Sequence, residues 1–174
     1  MSRGSSWFLI SAIFFLGNYS LFAKSVVLQK HQKFAVDYLH KNKDVKGLLV
    51  NHSLGSGKTF LALAFAEKFP NTPKFVISPR FLKSNWRIQM DQFGIKNQGQ
   101  YKLLSFEEAA DQIDKQSYKG AIIIIDEVHK FVSLVQKSFT SGGKKYGDLY
   151  YKLWESERLL ALTGTPIYSD PIDI

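Results

Sequence analysis

The sequence contains no cysteine. This absence excludes disulfides, thiolate chemistry and cysteine-ligated zinc sites, and it fits a reducing compartment without proving one. No internal repeat is visible either. The 174 residues, of which 45% are hydrophobic and 22% charged, suit one well-buried globular domain and are too few for two.

Arginine is scarce as well. Only four of the 23 basic residues are arginine, at Arg3, Arg80, Arg87 and Arg158, and the rest are lysine. The net charge of +8 favours an anionic partner, with nucleic acid first. Lysine scattered over helices usually forms only a solvated surface, however, so charge alone does not establish such a partner.

Charge is missing from residues 4–23, and residues 7–16 are nearly all apolar. Arg3 before this stretch and Ala23 at its end give it the form of a secretory leader. A single membrane anchor is a second reading, because about 20 residues can span a bilayer. An upstream start codon that is not used is a third. We therefore separate residues 1–24 from the domain at residues 25–174 and leave their role open.

Residues 25–174 alternate helical and extended patterns. Apolar residues recur at helical spacing in residues 25–42 and 58–69, and proline or glycine punctuates the segments between. The predicted strands are residues 47–50, 74–78, 101–104, 121–125 and 158–162. The other predicted helices are residues 81–93, a segment capped by Ser105, and residues 130–136 and 147–157, with a mobile loop at 138–145. The pattern predicts an α/β fold with a mostly parallel central sheet, covered by helices on both faces.

A glycine-rich segment follows the first predicted strand and opens a helix. It reads His52-Ser53-Leu54-Gly55-Ser56-Gly57-Lys58-Thr59. Gly55 and Gly57 permit positive φ, so that backbone N–H groups can turn onto phosphate oxygens at a helix N-terminus. Lys58 can neutralise the β and γ phosphates, and the Thr59 hydroxyl can ligate Mg²⁺. The segment predicts a nucleotide site, although His52 stands where the general pattern has glycine.

Two adjacent carboxylates follow the run of four isoleucines at residues 122–125. A buried strand would deliver Asp126 and Glu127 to its carboxyl end, where ligands bind in parallel sheets. Asp126 can hold Mg²⁺ directly or through water. Glu127 can orient and deprotonate a water that attacks the γ-phosphate of ATP. With Lys58, these two acids form the predicted catalytic set.

Several motifs together resemble the superfamily two helicases and translocases, most closely the Swi/Snf-type and related viral and bacterial DExH proteins. Asp126-Glu127-Val128-His129 and Leu162-Thr163-Gly164-Thr165-Pro166 resemble their motifs two and three. Gln32 lies in a segment similar to their adenine-recognition motif. Arg80 and Asn85-Trp86 lie in a stretch similar to motif Ia, and Ser105 in one similar to motif Ib.

The resemblance covers residues 25–174 and implies a RecA-like first domain that uses Mg·ATP, with duplex DNA as its track. It places Gln32 on the adenine base. It assigns the coupling of ATP state to strand contact to His129, Thr163, Gly164 and Thr165. Our candidates for contact with the nucleic-acid strand are Arg80, Lys83 and Ser105. ATP use favours the cytoplasm over export, and we predict no stable membrane partner.

Departures from the family pattern leave the activity open. The family has a second RecA-like lobe that supplies an arginine across the cleft, worth about 10³–10⁵ in rate in related phosphoryl-transfer systems. The sequence stops shortly after motif three, so we expect another chain or a downstream reading frame to supply that lobe. A motor domain and a non-motor module that binds ATP and DNA with negligible turnover are therefore both compatible with the sequence.

Overall fold

The computed structural model describes residues 27–51 and 55–164. The predictions for residues 1–24, for Ser53 and Leu54 in the glycine-rich segment, and for Thr165 fall outside these ranges. So do His52 and Pro166.

A five-stranded sheet forms the centre of the molecule. Every neighbouring pair of strands is parallel, and the strand order is β1-β5-β4-β2-β3. The strands are β1 (Gly47–Asn51), β2 (Lys74–Ser78), β3 (Tyr101–Ser105), β4 (Ile122–Ile125) and β5 (Arg158–Thr163). This arrangement confirms the predicted α/β class.

Helices connect the strands, as a parallel sheet requires. They are α1 (Lys30–Lys41), α2 (Lys58–Ala66), α3 (Lys83–Phe93), α4 (Phe106–Asp111), α5 (Val128–Thr140) and α6 (Lys145–Leu153). Short 3₁₀ turns precede α3 at Arg80–Leu82 and β3 at Gln98–Gln100.

The sheet is buried on both faces. In β4, Ile122 and Ile124 belong to a core beneath α1, α2 and α3, while Ile123 and Ile125 belong to a second core beneath α4, α5 and α6. All four isoleucines are buried. A central strand that is covered on both sides needs apolar residues at every position rather than at alternate ones. The run of isoleucines therefore marks the middle of the sheet.

The strands end together at one edge. Asn51 of β1 lies beside Thr163 of β5, and Ser78 of β2 lies beside Ser105 of β3. The Asp126 N–H donates to the Ile77 carbonyl oxygen, which continues the β4–β2 ladder by one residue. The carboxyl edge therefore gathers the segments in which the sequence motifs occur, as ligand sites in parallel sheets require.

The loop predicted at residues 138–145 is shorter than expected. It is confined to residues 141–144, because α5 continues to Thr140 and α6 begins at Lys145. The turn between them is tight: the Ser138 hydroxyl donates to the Gly143 carbonyl, and Gly142 has φ 73°. Trp154, just after α6, is 48% exposed.

Not every phenylalanine is a core residue either. Phe34, Phe81 and Phe139 are more than half exposed. Each lies on a helix or turn whose other side faces the core. Within residues 27–51 and 55–164, no helix has both the length and the hydropathy of a bilayer-spanning segment.

Candidate functional site

The glycine-rich segment turns into α2 with the predicted backbone geometry. Gly55 and Gly57 have φ of 77° and 75°. Gly57 is the left-handed residue directly before α2, and Lys58 is the first residue of the helix. The N-terminus of α2 therefore presents backbone N–H groups and the positive end of the helix dipole to the space in front of the loop. That arrangement suits a bound phosphate.

The Gln32 side chain is bonded to this loop. Its Nε2 donates to the carbonyl oxygens of Ser56 (2.7 Å) and Gly57 (3.3 Å), and its Oε1 accepts from the Gln29 N–H (2.8 Å). A Cβ atom at position 57 would lie 2.6 Å from Gln32 Nε2, so the packing as well as φ favours glycine there. Gln32 thus connects the start of α1 to the phosphate loop. Its contact with adenine stays a prediction.

A hydroxyl in the loop lacks a partner. Ser56 Oγ is buried and accepts or donates no hydrogen bond within the described part of the chain. An unpaired buried hydroxyl is costly, about 1–3 kcal/mol. A phosphate oxygen in the loop would give it an acceptor. This orphaned atom, next to Lys58 and the half-buried Thr59, shows that the residues present suit a nucleotide phosphate.

Asp126 is buried and held by two donors. Its Oδ1 accepts from the Glu127 N–H, and its Oδ2 accepts from Trp86 Nε1, both at 3.0 Å. Burial raises the pKa of the Asp126 carboxyl, whereas the Trp86 hydrogen bond and the charge of Lys58 oppose the rise. Lys58 begins the helix after β1, and Asp126 directly follows β4, so both residues lie at the carboxyl edge of the same parallel sheet. The two motifs therefore meet at one edge of the sheet.

Glu127 has a strained backbone. Its φ is 52°, and it is the only non-glycine residue with positive φ among residues 27–51 and 55–164. Such a conformation costs an ordinary residue about 1–2 kcal/mol. The sharp turn lets β4 end at Asp126 and α5 begin at Val128. Strain of this kind is concentrated at functional sites.

His129 joins the acidic pair to the last strand. A hydrogen bond of 3.0 Å connects His129 Nδ1 with Thr163 Oγ1, and the ring tautomer decides which of the two donates. Glu127 Oε2 lies 3.4 Å from the same nitrogen. Thr163 ends β5, and Gly164 follows it. The structure thus brings together His129 and Thr163, two of the four residues to which the resemblance assigned coupling.

The three candidates for nucleic-acid contact differ in their accessibility. Arg80 is exposed on the turn after β2. Lys83 Nζ lies 2.6 Å from Glu108 Oε2 and is paired with it. Ser105 is fully buried, and its hydroxyl accepts from the Glu108 N–H as the cap of α4. A strand could reach the Arg80 side chain directly, whereas contact with the Ser105 hydroxyl would require opening the cap.

Reasoning from the sequence did not find the contact that Trp86 makes with Asp126. Trp86 is 1% exposed, but its indole N–H is directed at Asp126. The available signal was its place in the Asn85-Trp86 pair of the motif Ia-like stretch.

The described residues contain no cluster of three or more histidine, cysteine or acidic side chains that could hold a metal ion. Mg²⁺ needs no such cluster, because it keeps several waters and binds through one or two carboxylates together with substrate phosphates. Asp126 and the Thr59 hydroxyl are compatible with that mode of binding.

Comparison with known proteins identifies viral relatives. The chain is 29% identical over 191 residues to a protein of Acanthamoeba polyphaga mimivirus that is named as an ATP-dependent RNA helicase; the match covers 88% of this chain and 32% of the relative. It is 26% identical over 157 residues to the termination factor NPH-I homolog of African swine fever virus, covering 77% and 22%. The chain therefore spans a third or less of these relatives. No family model matches it.

Solved structures give the same fold. The SWI2/SNF2 ATPase core of Sulfolobus solfataricus, determined in complex with double-stranded DNA, aligns with a TM-score of 0.67 at 22% identity, covering 86% of this chain and 34% of that one. The Hef helicase domain of Pyrococcus furiosus aligns with a TM-score of 0.57 at 16% identity, covering 84% and 34%. The solved structures confirm the RecA-like fold, and the viral relatives support the predicted resemblance to the superfamily two, Swi/Snf-like helicases.

Proposed function

We propose that this chain is the ATP-binding and ATP-hydrolysing first lobe of a DNA helicase or translocase. The observation that carries the proposal is the common edge of the sheet: Lys58 begins the helix that follows β1, Asp126 directly follows β4, and both strands run parallel in one sheet. Helicase relatives support a nucleic-acid-dependent ATPase in general. Hydrolysis and movement along DNA are the parts that we propose.

Each residue has a defined task in this proposal. Gly55, Ser56 and Gly57, with Ser53 and Leu54 before them, bind phosphate through backbone N–H groups and the unpaired Ser56 hydroxyl. Lys58 binds the outer phosphates. Thr59 and Asp126 hold Mg²⁺, and bound Mg·ATP supplies the phosphoryl group that is transferred to water. Glu127 orients that water and takes its proton. Gln32 contacts adenine and also supports the loop through its hydrogen bonds to the Ser56 and Gly57 carbonyl oxygens.

Coupling and strand contact complete the proposal. His129 and Thr163, with Gly164 and Thr165, transmit the state of the nucleotide to the strand-binding surface. Arg80, with Lys83 and Ser105, positions the backbone of duplex DNA without reading its sequence. The SWI2/SNF2 core that shares the fold was determined with double-stranded DNA, which supports this choice of track. A second RecA-like lobe supplies the arginine that full turnover needs.

Calorimetry with Mg·ATP tests the nucleotide site. We expect the wild-type chain to bind Mg·ATP and the Lys58→Ala variant to lose binding while its circular dichroism is unchanged, because the Lys58 side chain faces the ligand. The matched control is Glu127→Gln, which should keep Mg·ATP binding and lose hydrolysis. Equal affinity of wild type and Lys58→Ala would remove Lys58 from the site and contradict the proposal.

A turnover assay separates a motor lobe from a non-motor module. ATP hydrolysis is measured with the chain alone, with DNA, and with DNA plus a separately supplied second RecA-like lobe from the adjacent gene product. Stimulation by DNA and the second lobe together supports the motor. Binding of ATP and DNA without stimulation favours the module.

A further inference from the structure

Trp86 makes a polar contact that hydrophobic packing alone does not explain. It is on the second turn of α3, 1% exposed, in the core beneath α1, α2 and α3. An indole buried only for its apolar area would leave its N–H without a partner, at a cost of about 1–3 kcal/mol. Instead Trp86 Nε1 donates to Asp126 Oδ2 at 3.0 Å across 40 residues of sequence. The polar end of the side chain is therefore directed at the acidic site.

The contact fixes the orientation of the Asp126 carboxylate. The Glu127 N–H occupies one lone pair of Oδ1, and the Trp86 indole occupies one lone pair of Oδ2. Each oxygen has two lone pairs, so each keeps one for a further ligand. Because both oxygens accept a hydrogen bond, rotation about the Cβ–Cγ bond would break the buried bond from Trp86 and the partly buried bond from Glu127. The carboxylate thus presents its remaining lone pairs in one defined direction.

We infer that Trp86 is a positioning residue, which orients Asp126 for Mg²⁺ through its indole N–H. The inference rests on the proposed function and adds to it a residue outside the phosphate loop and the acidic motif. Donors that hold a metal-binding carboxylate typically matter about 10–100-fold in metal affinity, although they never touch the metal. Trp86 also lies three residues after Lys83 on α3, so the helix that carries a candidate strand contact carries this donor too.

The Trp86→Phe variant removes the N–H and keeps a buried aromatic ring. We expect the affinity for ATP measured in EDTA to stay within about twofold of wild type, while the Mg²⁺ concentration needed for tight nucleotide binding rises about 10–100-fold. Met90→Ala is the packing control. Met90 is buried on the same helix, and no polar contact joins it to Asp126, so loss of its side chain should not change the Mg²⁺ requirement selectively.

The indole N–H signal of Trp86 gives a readout that does not depend on activity. In ¹H–¹⁵N NMR spectra the signal is assigned by its loss in Trp86→Phe, and the exposed Trp154 provides a reference indole. We expect Asp126→Asn to move the Trp86 signal without moving that of Trp154. We also expect Mn²⁺, used as a paramagnetic probe with or without ATP, to broaden the Trp86 signal in wild type and not in Asp126→Ala.

The outcomes separate this inference from the proposed function. The positioning role is overturned if the Trp86 indole signal does not move in Asp126→Asn and is not broadened by Mn²⁺. Equal weakening of ATP binding with and without Mg²⁺ in Trp86→Phe also overturns it, since that result describes lost packing. If ATP fails to bind wild type while Mn²⁺ still broadens the Trp86 signal, the proposed function is wrong and the positioning role stands.

Discussion

At Glu127 the backbone conformation favours glycine, whereas the residue present carries a carboxylate side chain. Its left-handed conformation, with φ 52°, costs about 1–2 kcal/mol for a residue with a Cβ atom. Glycine would adopt the same turn without that cost. The chain keeps a carboxylate at a position where the backbone favours glycine. A catalytic carboxylate explains this choice better than stability does.

The strain can be measured with two variants that both lack the carboxylate. We expect Glu127→Gly to be more stable than Glu127→Ala by about 1 kcal/mol, because only alanine retains the clash at positive φ. Unfolding in urea, followed by circular dichroism, gives the two free energies. Since the side chain beyond Cβ is absent from both variants, the contact between Glu127 and His129 cannot account for the difference. If Glu127→Ala is the more stable, the backbone at this position is not strained.

At the scale of elements, the cap of α4 joins three segments of the chain. Ser105 ends β3 and accepts from the Glu108 N–H, while the Ser105 N–H donates to Glu108 Oε2. Lys83 of α3 pairs with the same oxygen. The hydrogen bond from Lys83 and that from the Ser105 backbone lower the pKa of Glu108. The capping box predicted from the sequence is therefore also the link between α3 and α4.

Removing the cap should reduce stability. We expect Ser105→Ala to lower the free energy of unfolding by about 1 kcal/mol, the usual cost of an N-cap serine. The matched control is Ser84→Ala, since Ser84 is exposed in the first turn of α3 and alanine suits a helix. Urea unfolding at pH 7 measures both. No loss in Ser105→Ala, or an equal loss in both variants, would show that the cap contributes nothing.

The pH dependence of this cap has a defined sign. Because the pKa of Glu108 is lowered in the folded protein, its contribution is present above the unfolded value of 4.5 and is lost as the pH falls through the lower, folded value. The stability difference between wild type and Glu108→Gln should therefore shrink as the pH is lowered below 4.5.

Elements were predictable from the sequence where local and tertiary signals agree. The isoleucine run of β4, the glycines before α2 and the Ser105 cap each carry their own signal, and the structure has them as expected. The link from Trp86 to Asp126 and the bonds from Gln32 to the phosphate loop join residues far apart in the chain. Such contacts leave no periodic pattern of apolar residues in the sequence from which they could be predicted. The loop expected at residues 138–145 was too long for a related reason. Serine and glycine favour turns locally, but α5, which packs into the second core through Phe131 and Val135, continues to Thr140.

At the scale of the molecule, the two edges of the sheet differ. At the amino edge the buried Lys74 donates to the carbonyl oxygens of Phe69 and Thr72 and to the Gln100 side chain. Its charge is thus satisfied within the protein. Unpaired buried atoms do not by themselves distinguish the edges, because among the described residues Ser56 Oγ at the carboxyl edge and Ser156 Oγ and Arg158 Nε at the amino edge all lack hydrogen-bond partners. The carboxyl edge differs in its strained Glu127 backbone and its exposed Arg80, which are features of a surface that binds ligands.

The same asymmetry predicts where DNA binds. We expect Arg80→Ala to weaken binding to duplex DNA and to reduce the slope of log affinity against log salt by about one, as loss of one phosphate contact does. Fluorescence anisotropy over a series of salt concentrations measures both effects. Lys119→Ala is the matched control: Lys119 is exposed three residues before β4, at the amino edge, and carries the same charge.

The control decides between a docking edge and general attraction. With a net charge of +8, the whole chain attracts a polyanion, and removal of any lysine or arginine lowers that attraction slightly. A localised contact at the carboxyl edge changes the salt slope only in Arg80→Ala. Equal changes in Arg80→Ala and Lys119→Ala would mean that DNA meets no particular edge. DNA binding would then have no defined contact near His129 and Thr163 through which the nucleotide site could control it.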